Sequence, residues 1–235
     1  MSAAEDSLHG WSLLMAAIGL VQILVWSLAG AHVPPMWLVA AHGLWAVAGF
    51  GWLFVRIRGH RRGADMVTGA RVLICMVLFA SLALDPRAAW WKLGLALLIL
   101  VLDGVDGALA RRAGPTHAGA IFDAESDSFY VATMCGVCHL WLGLAAWIFV
   151  IAALRPLYVL AWAVAQRYRP VQSPNRKGSQ RARIIFLCTT IALLLALAPG
   201  VPLMPKHVVT AVAAALLCYS FGVDALASFR PPRPA

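Results

Sequence analysis

The chain has 235 residues, of which 62% are hydrophobic and only 12% charged, with a net charge of +9 and a mean hydropathy of +0.80. A soluble domain of this size carries about twice that charge fraction, so the composition excludes a soluble globular protein and points to an integral membrane one. The excess of Lys and Arg falls in short clusters between apolar spans, as the positive-inside rule expects of cytoplasmic loops; the partners it implies are anionic headgroups or phosphates and membrane lipids, with no nucleic acid.

Residues 1–10 are polar and acidic through Glu5 and Asp6, and an apolar span follows over 11–29. Ala29-Gly30-Ala31 resembles a signal-peptidase site, but the basic segment a signal peptide needs is missing, so this span is expected to stay as a helix. Pro34 and Pro35 turn the chain into a second span, 36–55, which ends in Arg56, Arg58, His60, Arg61 and Arg62, a cluster that belongs on the cytoplasmic side. The third span, 66–84, is entered through Asp65, Thr68 and Arg71. After a turn at Asp85-Pro86, Trp90 and Trp91 anchor the fourth span, 89–112, at the outer interface, and Arg111 and Arg112 suit the negative end of its helix dipole.

The fifth span covers 118–140 and the sixth 141–165, which contains Arg155. An arginine in an apolar helix is costly, so Arg155 either serves a site or snorkels to the interface. Residues 166–183 form a basic loop with Arg167, Arg169, Arg176, Lys177, Arg181 and Arg183; the seventh span is 183–198 and the eighth 206–229, with Asp224 near its end. With eight spans both termini are cytoplasmic, and the strongly basic loops all lie inside. The five cysteines, Cys75, Cys135, Cys138, Cys188 and Cys218, sit in apolar segments and read as packing residues. Cys135-Gly-Val-Cys138-His139 has the pattern of covalent haem attachment, yet it lies in an apolar helix with no soluble haem domain around it, so packing is the expected role here too.

The informative stretch runs from Asp103 to Asp127. Asp103 and Asp106 stand three apart and Asp123 and Asp127 four apart, so each pair projects from one face of its own helix. The link between them carries a Gly114-Pro115 stop and Thr116 as a cap, which folds the two helices back on each other. Four ionised carboxylates cannot share a low-dielectric site without cations, and only Arg111, Arg112 and His117 are basic nearby in sequence. Hard divalent ions with oxygen ligands are the natural choice, and two magnesium ions are expected, replaceable by Mn2+. Two such cations suit displacement at phosphorus, where they clamp a diphosphate.

The same residues are similar to the CDP-alcohol phosphotransferase (CDP-alcohol phosphatidyltransferase) signature, D-x2-D-G-x2-A-R-x7-8-G-x3-D-x3-D: Asp103, Asp106, Gly107, Ala110, Arg111, Gly119, Asp123 and Asp127 fill every fixed position. The resemblance implies an all-α polytopic membrane bundle, with a six-helix catalytic domain over 63–235 and an N-terminal extension over 1–62 that adds two helices. It implies a transferase that moves a substituted phosphate, phosphatidyl if the donor is CDP-diacylglycerol, to an acceptor alcohol in phospholipid biosynthesis, releasing CMP. Asp103, Asp106, Asp123 and Asp127 are then metal ligands, with Asp127 also the catalytic base. Thr68, Asp103, Gly107, Ala110, Arg111, Gly119 and Asp123 meet the CDP group, and Arg71, Arg155, Arg176 and Lys177 meet the acceptor or lipid phosphate. Family members often begin the third span with Asn-x2-Thr-x2-Arg, so Asp65 replaces the usual Asn. A homodimer in a bacterial or archaeal cell membrane, with a cytoplasmic active site, is the implied setting. The alternative reading is a divalent-cation transporter, which also places carboxylates inside a membrane.

Overall fold

The computed structural model describes residues 3–29, 35–56, 63–114, 116–168 and 180–228. Among these the regular elements are all helical: α1 (Ala3–Ala29), α2 (Pro35–Arg56), α3 (Gly63–Leu84), α4 (Trp90–Ala113), α5 (His117–Leu140), α6 (Phe149–Gln166), α7 (Gln180–Leu197) and α8 (Leu203–Ser228). Among the described residues six stretches are long and apolar enough to cross a bilayer: Leu8–Leu28, Gly63–Leu84, Trp90–Ala113, Ala146–Gln166, Gln180–Leu197 and Leu203–Ser228. The protein is an integral, multi-pass membrane protein. In α2 the described side chains carry an apolar run over Met36–Gly51, whereas α5 carries Asp123, Glu125 and Asp127, so α5 of the eight expected spans does not stand on composition alone. Packing explains how α5 tolerates its charges: α1, α3, α6 and α7 surround it, so protein rather than lipid faces its acidic side chains.

Local chemistry sets the helix ends. Gly114 takes φ 83°, closing α4, and the Thr116 hydroxyl accepts from the Gly119 backbone N–H at 3.1 Å, capping α5. The sixth helix begins later than expected. Residues 141–145 form a turn in which Gly143 adopts φ 78°, a 3-10 turn follows at Ala146–Ile148, and α6 proper starts at Phe149; only glycine takes that backbone conformation without strain. Helix α7 starts earlier than expected, so Arg181 and Arg183 lie on a helix rather than in a loop. Arg56 ends α2, while Arg58, His60, Arg61, Arg62, Arg169, Arg176 and Lys177 lie outside the described residues.

The two N-terminal helices are built into the bundle. Trp26 of α1 stacks on Phe79 of α3 at 5.1 Å between centroids, and His42 of α2 stacks on Phe129 of α5 at 4.4 Å. His42, fully buried, receives a hydrogen bond from Gln22 Nε2 at Nδ1 (3.1 Å) and gives one from Nε2 to the Thr133 hydroxyl (3.0 Å). Thr133 passes its own proton to the Phe129 carbonyl at 2.7 Å, so the chain of donors is satisfied inside the apolar core. Gly136 makes the approach of α1 possible, because a Cβ there would stand 2.5 Å from the Trp26 ring. The outer faces expose Leu24, Leu44, Leu73, Val101, Val150 and Val212, as a surface solvated by lipid does.

Candidate active site

Helix α3 presents Asp65, Thr68 and Arg71, three and six positions apart, on one face, and all three are buried. Arg71 lies at the centre of the carboxylate cluster. Its Nη1 donates to Asp106 Oδ2 at 2.9 Å and Asp123 Oδ1 at 3.0 Å, and its Nη2 reaches Asp103 Oδ1 at 2.8 Å and Asp127 Oδ1 at 2.6 Å. The Thr68 hydroxyl lies 3.0 Å from Asp106 Oδ2. The four aspartates of α4 and α5 therefore converge as their spacing predicts. Arg71, expected at a phosphate, stands among them; the basic residues considered from sequence proximity did not include it.

One guanidinium against four carboxylates leaves a formal charge of −3 if all are ionised. Such a charge in a helical membrane bundle calls for further cations. Ligand oxygens of Asp103, Asp106 and Asp123 all lie within 4.8 Å of one another, and a purely carboxylate donor set suits a hard divalent ion. Depth is graded: the Asp106 side chain is 4% exposed and that of Asp123 is 47%, so the cluster has a closed inner side and an open outer one.

Two cavities take part of their lining from α5. The first, about 280 Å³, is lined by Asp65, Thr68, Asp106, Gly107, Ala110, Gly119, Asp123 and Arg183, among others. It gathers most of the residues expected to meet CDP. Gly119 is required there, since a Cβ would stand 2.8 Å from Thr116 Oγ1 and 3.3 Å from Asp65 Oδ1. Arg111 is exposed, with its Nη1 over Gly107. The second cavity, about 180 Å³, is lined by Asp127, Ser128, Arg155 and Thr189 together with the apolar Val131, Ile151, Phe186, Leu217 and Phe221.

Arg155 does more than snorkel. Its Nη1 donates to Glu125 Oε1 at 3.0 Å and to the Ser128 hydroxyl at 2.9 Å. Glu125 is 4% exposed and also accepts from the Ser12 hydroxyl of α1 at 2.6 Å. Sequence reasoning missed Glu125, and it placed Arg183 only in a basic loop rather than at the first cavity. The signal for Glu125 was a fifth acid between Asp123 and Asp127, turned about 200° from Asp123 around the helix. Asp224 is paired with Arg181 at 2.5 Å and lines neither cavity. Cys135 and Cys138 are fully buried, and His139 Nδ1 donates to the Leu144 carbonyl at 2.8 Å, an arrangement that serves helix packing.

A helical membrane protein with a convergent carboxylate site beside a polar cavity belongs to the class that works on charged substrates at the bilayer. The chain belongs to the CDP-alcohol phosphatidyltransferase family, whose model matches residues 62–219. The match takes in the whole aspartate motif and leaves α1 and α2 outside it. Membership makes the protein a transferase of substituted phosphate groups from a CDP-alcohol, and it decides against the cation transporter. No curated protein and no solved structure matches the chain.

Proposed function

We propose that the chain transfers a phosphatidyl group from CDP-diacylglycerol to an acceptor alcohol and releases CMP, a step of phospholipid synthesis carried out at the cytoplasmic side. The observation that carries this reading is the position of Asp127, which belongs to the carboxylate cluster and also lines the second cavity. The first cavity takes the CDP group, with Gly107 and Gly119 letting the nucleotide approach the backbone and Arg183 and Arg111 compensating phosphate charge. Apolar walls and Arg155 suit the second cavity to the acceptor.

Asp103, Asp106, Asp123 and Asp127 are the residues that would hold divalent cations, two Mg2+ in our reading. Bound there, the ions supply neutralisation of the diphosphate and of the departing CMP. Arg71 keeps the four carboxylates converged. Asp127 removes the proton from the acceptor hydroxyl, whose oxygen then bonds to the β-phosphorus as the bond to the CMP oxygen breaks. Arg155, and outside the described residues Arg176 and Lys177, meet the acceptor's or the lipid's phosphate.

The test is CMP release by purified protein with CDP-diacylglycerol, Mg2+ and a panel of alcohols that includes glycerol 3-phosphate, inositol, inositol phosphate, serine and a lipid alcohol. Release that depends on one of them supports the reading. No release with any of them, from protein that binds CDP-diacylglycerol, overturns it.

A further inference from the structure

We propose that Ser12 and Glu125 are positioning residues for the acceptor site, which makes the N-terminal helix α1 part of the catalytic apparatus although the family match begins only at residue 62. The proposal rests on the reading of the second cavity as the acceptor site.

Glu125 is buried, and a buried carboxylate persists only where donors compensate it. Two do so at one oxygen: the Ser12 hydroxyl from α1 and Arg155 Nη1 from α6, both on Glu125 Oε1. Arg155 Nη1 also reaches the Ser128 hydroxyl, which gives its own proton to the Ala124 carbonyl at 3.1 Å and is therefore free to accept. Three helices thus fix the guanidinium at the wall that Asp127 shares. Among the described residues Arg155 makes its polar contacts through Nη1 alone, which leaves Nε and Nη2 for an anionic group of the acceptor. An arginine without such support has several rotors to restrict and water to reach, and part of any binding energy is lost in ordering it. Ser12 acts only through Glu125, so its effect must vanish when Glu125 is absent.

The experiment is a double-mutant cycle in the full-length protein, read as separate KM values for CDP-diacylglycerol and for whichever acceptor the wild type uses. Glu125→Ala is expected to raise the acceptor KM by about tenfold or more while the donor KM stays within about twofold. Ser12→Ala alone is expected to raise the acceptor KM about threefold and to add nothing to Glu125→Ala. An unchanged acceptor KM, equal losses toward both substrates, or independent effects of the two substitutions would each overturn the proposal. Should Glu125→Ala fail to fold, the milder pair Ser12→Ala and Glu125→Gln decides it: an acceptor KM unchanged in both ends the idea. A wild type that releases no CMP with any alcohol brings down the transferase reading and this one with it, whereas an active wild type with unaffected variants brings down only this one.

Discussion

Arg71 holds Asp127 more closely than any other aspartate, at 2.6 Å against 2.8 to 3.0 Å for Asp103, Asp106 and Asp123. The residue proposed as base is therefore fixed from α3 by a guanidinium whose side chain is 2% exposed. A carboxylate held in this way lacks the freedom to turn out of the cluster, and the same residue lines the second cavity.

Removing this guanidinium should expose how much cation the cluster needs. Arg71→Gln leaves four carboxylates without their internal partner, a loss of about 3 to 5 kcal/mol for a broken buried pair. The variant is expected to melt well below the wild type in EDTA and to gain more from added Mg2+ than the wild type does. Thermal melts of both proteins in detergent, with and without Mg2+, check this; equal gains would mean that Arg71 is not the neutralising group.

Metal removal should abolish turnover. The cluster keeps a formal charge of −3 after Arg71 is counted, so chelation with EDTA is expected to stop CMP release, and Mg2+ or Mn2+ to restore it where Na+ or K+ does not. Undiminished release after chelation and dialysis would remove the metal from the mechanism.

Binding and chemistry should separate within the four aspartates. Asp127→Asn keeps the size of the base and removes its proton affinity, so metal-dependent binding of CDP-diacylglycerol is expected to remain while turnover falls by about 100-fold or more. Asp106 is the innermost member and is braced by Thr68 and Arg71, so Asp106→Asn is expected to weaken both. Calorimetry with CDP-diacylglycerol distinguishes the two outcomes.

The close approach of α1 to α5 should be sensitive to a small branched side chain at position 136. Gly136→Val puts carbon atoms where the Trp26 ring lies, and such overpacking typically costs about 1 to 3 kcal/mol. Melting should shift down in Gly136→Val and recover in part when Trp26→Leu is added. Additive losses in the double variant would place the strain elsewhere.

Much of this arrangement could be read from residue order. Long apolar runs marked most of the helices, Gly114 and Thr116 marked the break between α4 and α5, and the three- and four-residue spacings put each aspartate pair on one face. These features are local, and local geometry is what sequence spacing encodes. Arg71 is central for a reason that spacing cannot show: α3 happens to pack against both α4 and α5, and that contact spans more than fifty residues of chain. Glu125 escaped for the opposite reason. It sits inside the motif, but its partners, Ser12 and Arg155, come from distant helices. Residues 141–145 broke the expected sixth span because a continuous apolar stretch does not announce a turn made by one glycine with positive φ.

The two cavities both draw on α5 and have no lining residue in common, with Asp123 at the first and Asp127, one helical turn on along the same face, at the second. If donor and acceptor occupy them as proposed, neither has to leave before the other arrives, and no covalent phosphatidyl-enzyme is needed to carry the group between two separate visits. The kinetic signature is a ternary complex: double-reciprocal plots at varied acceptor concentration should intersect rather than run parallel. Helix α5 is then the rail the two berths share, and transfer runs along its acidic face.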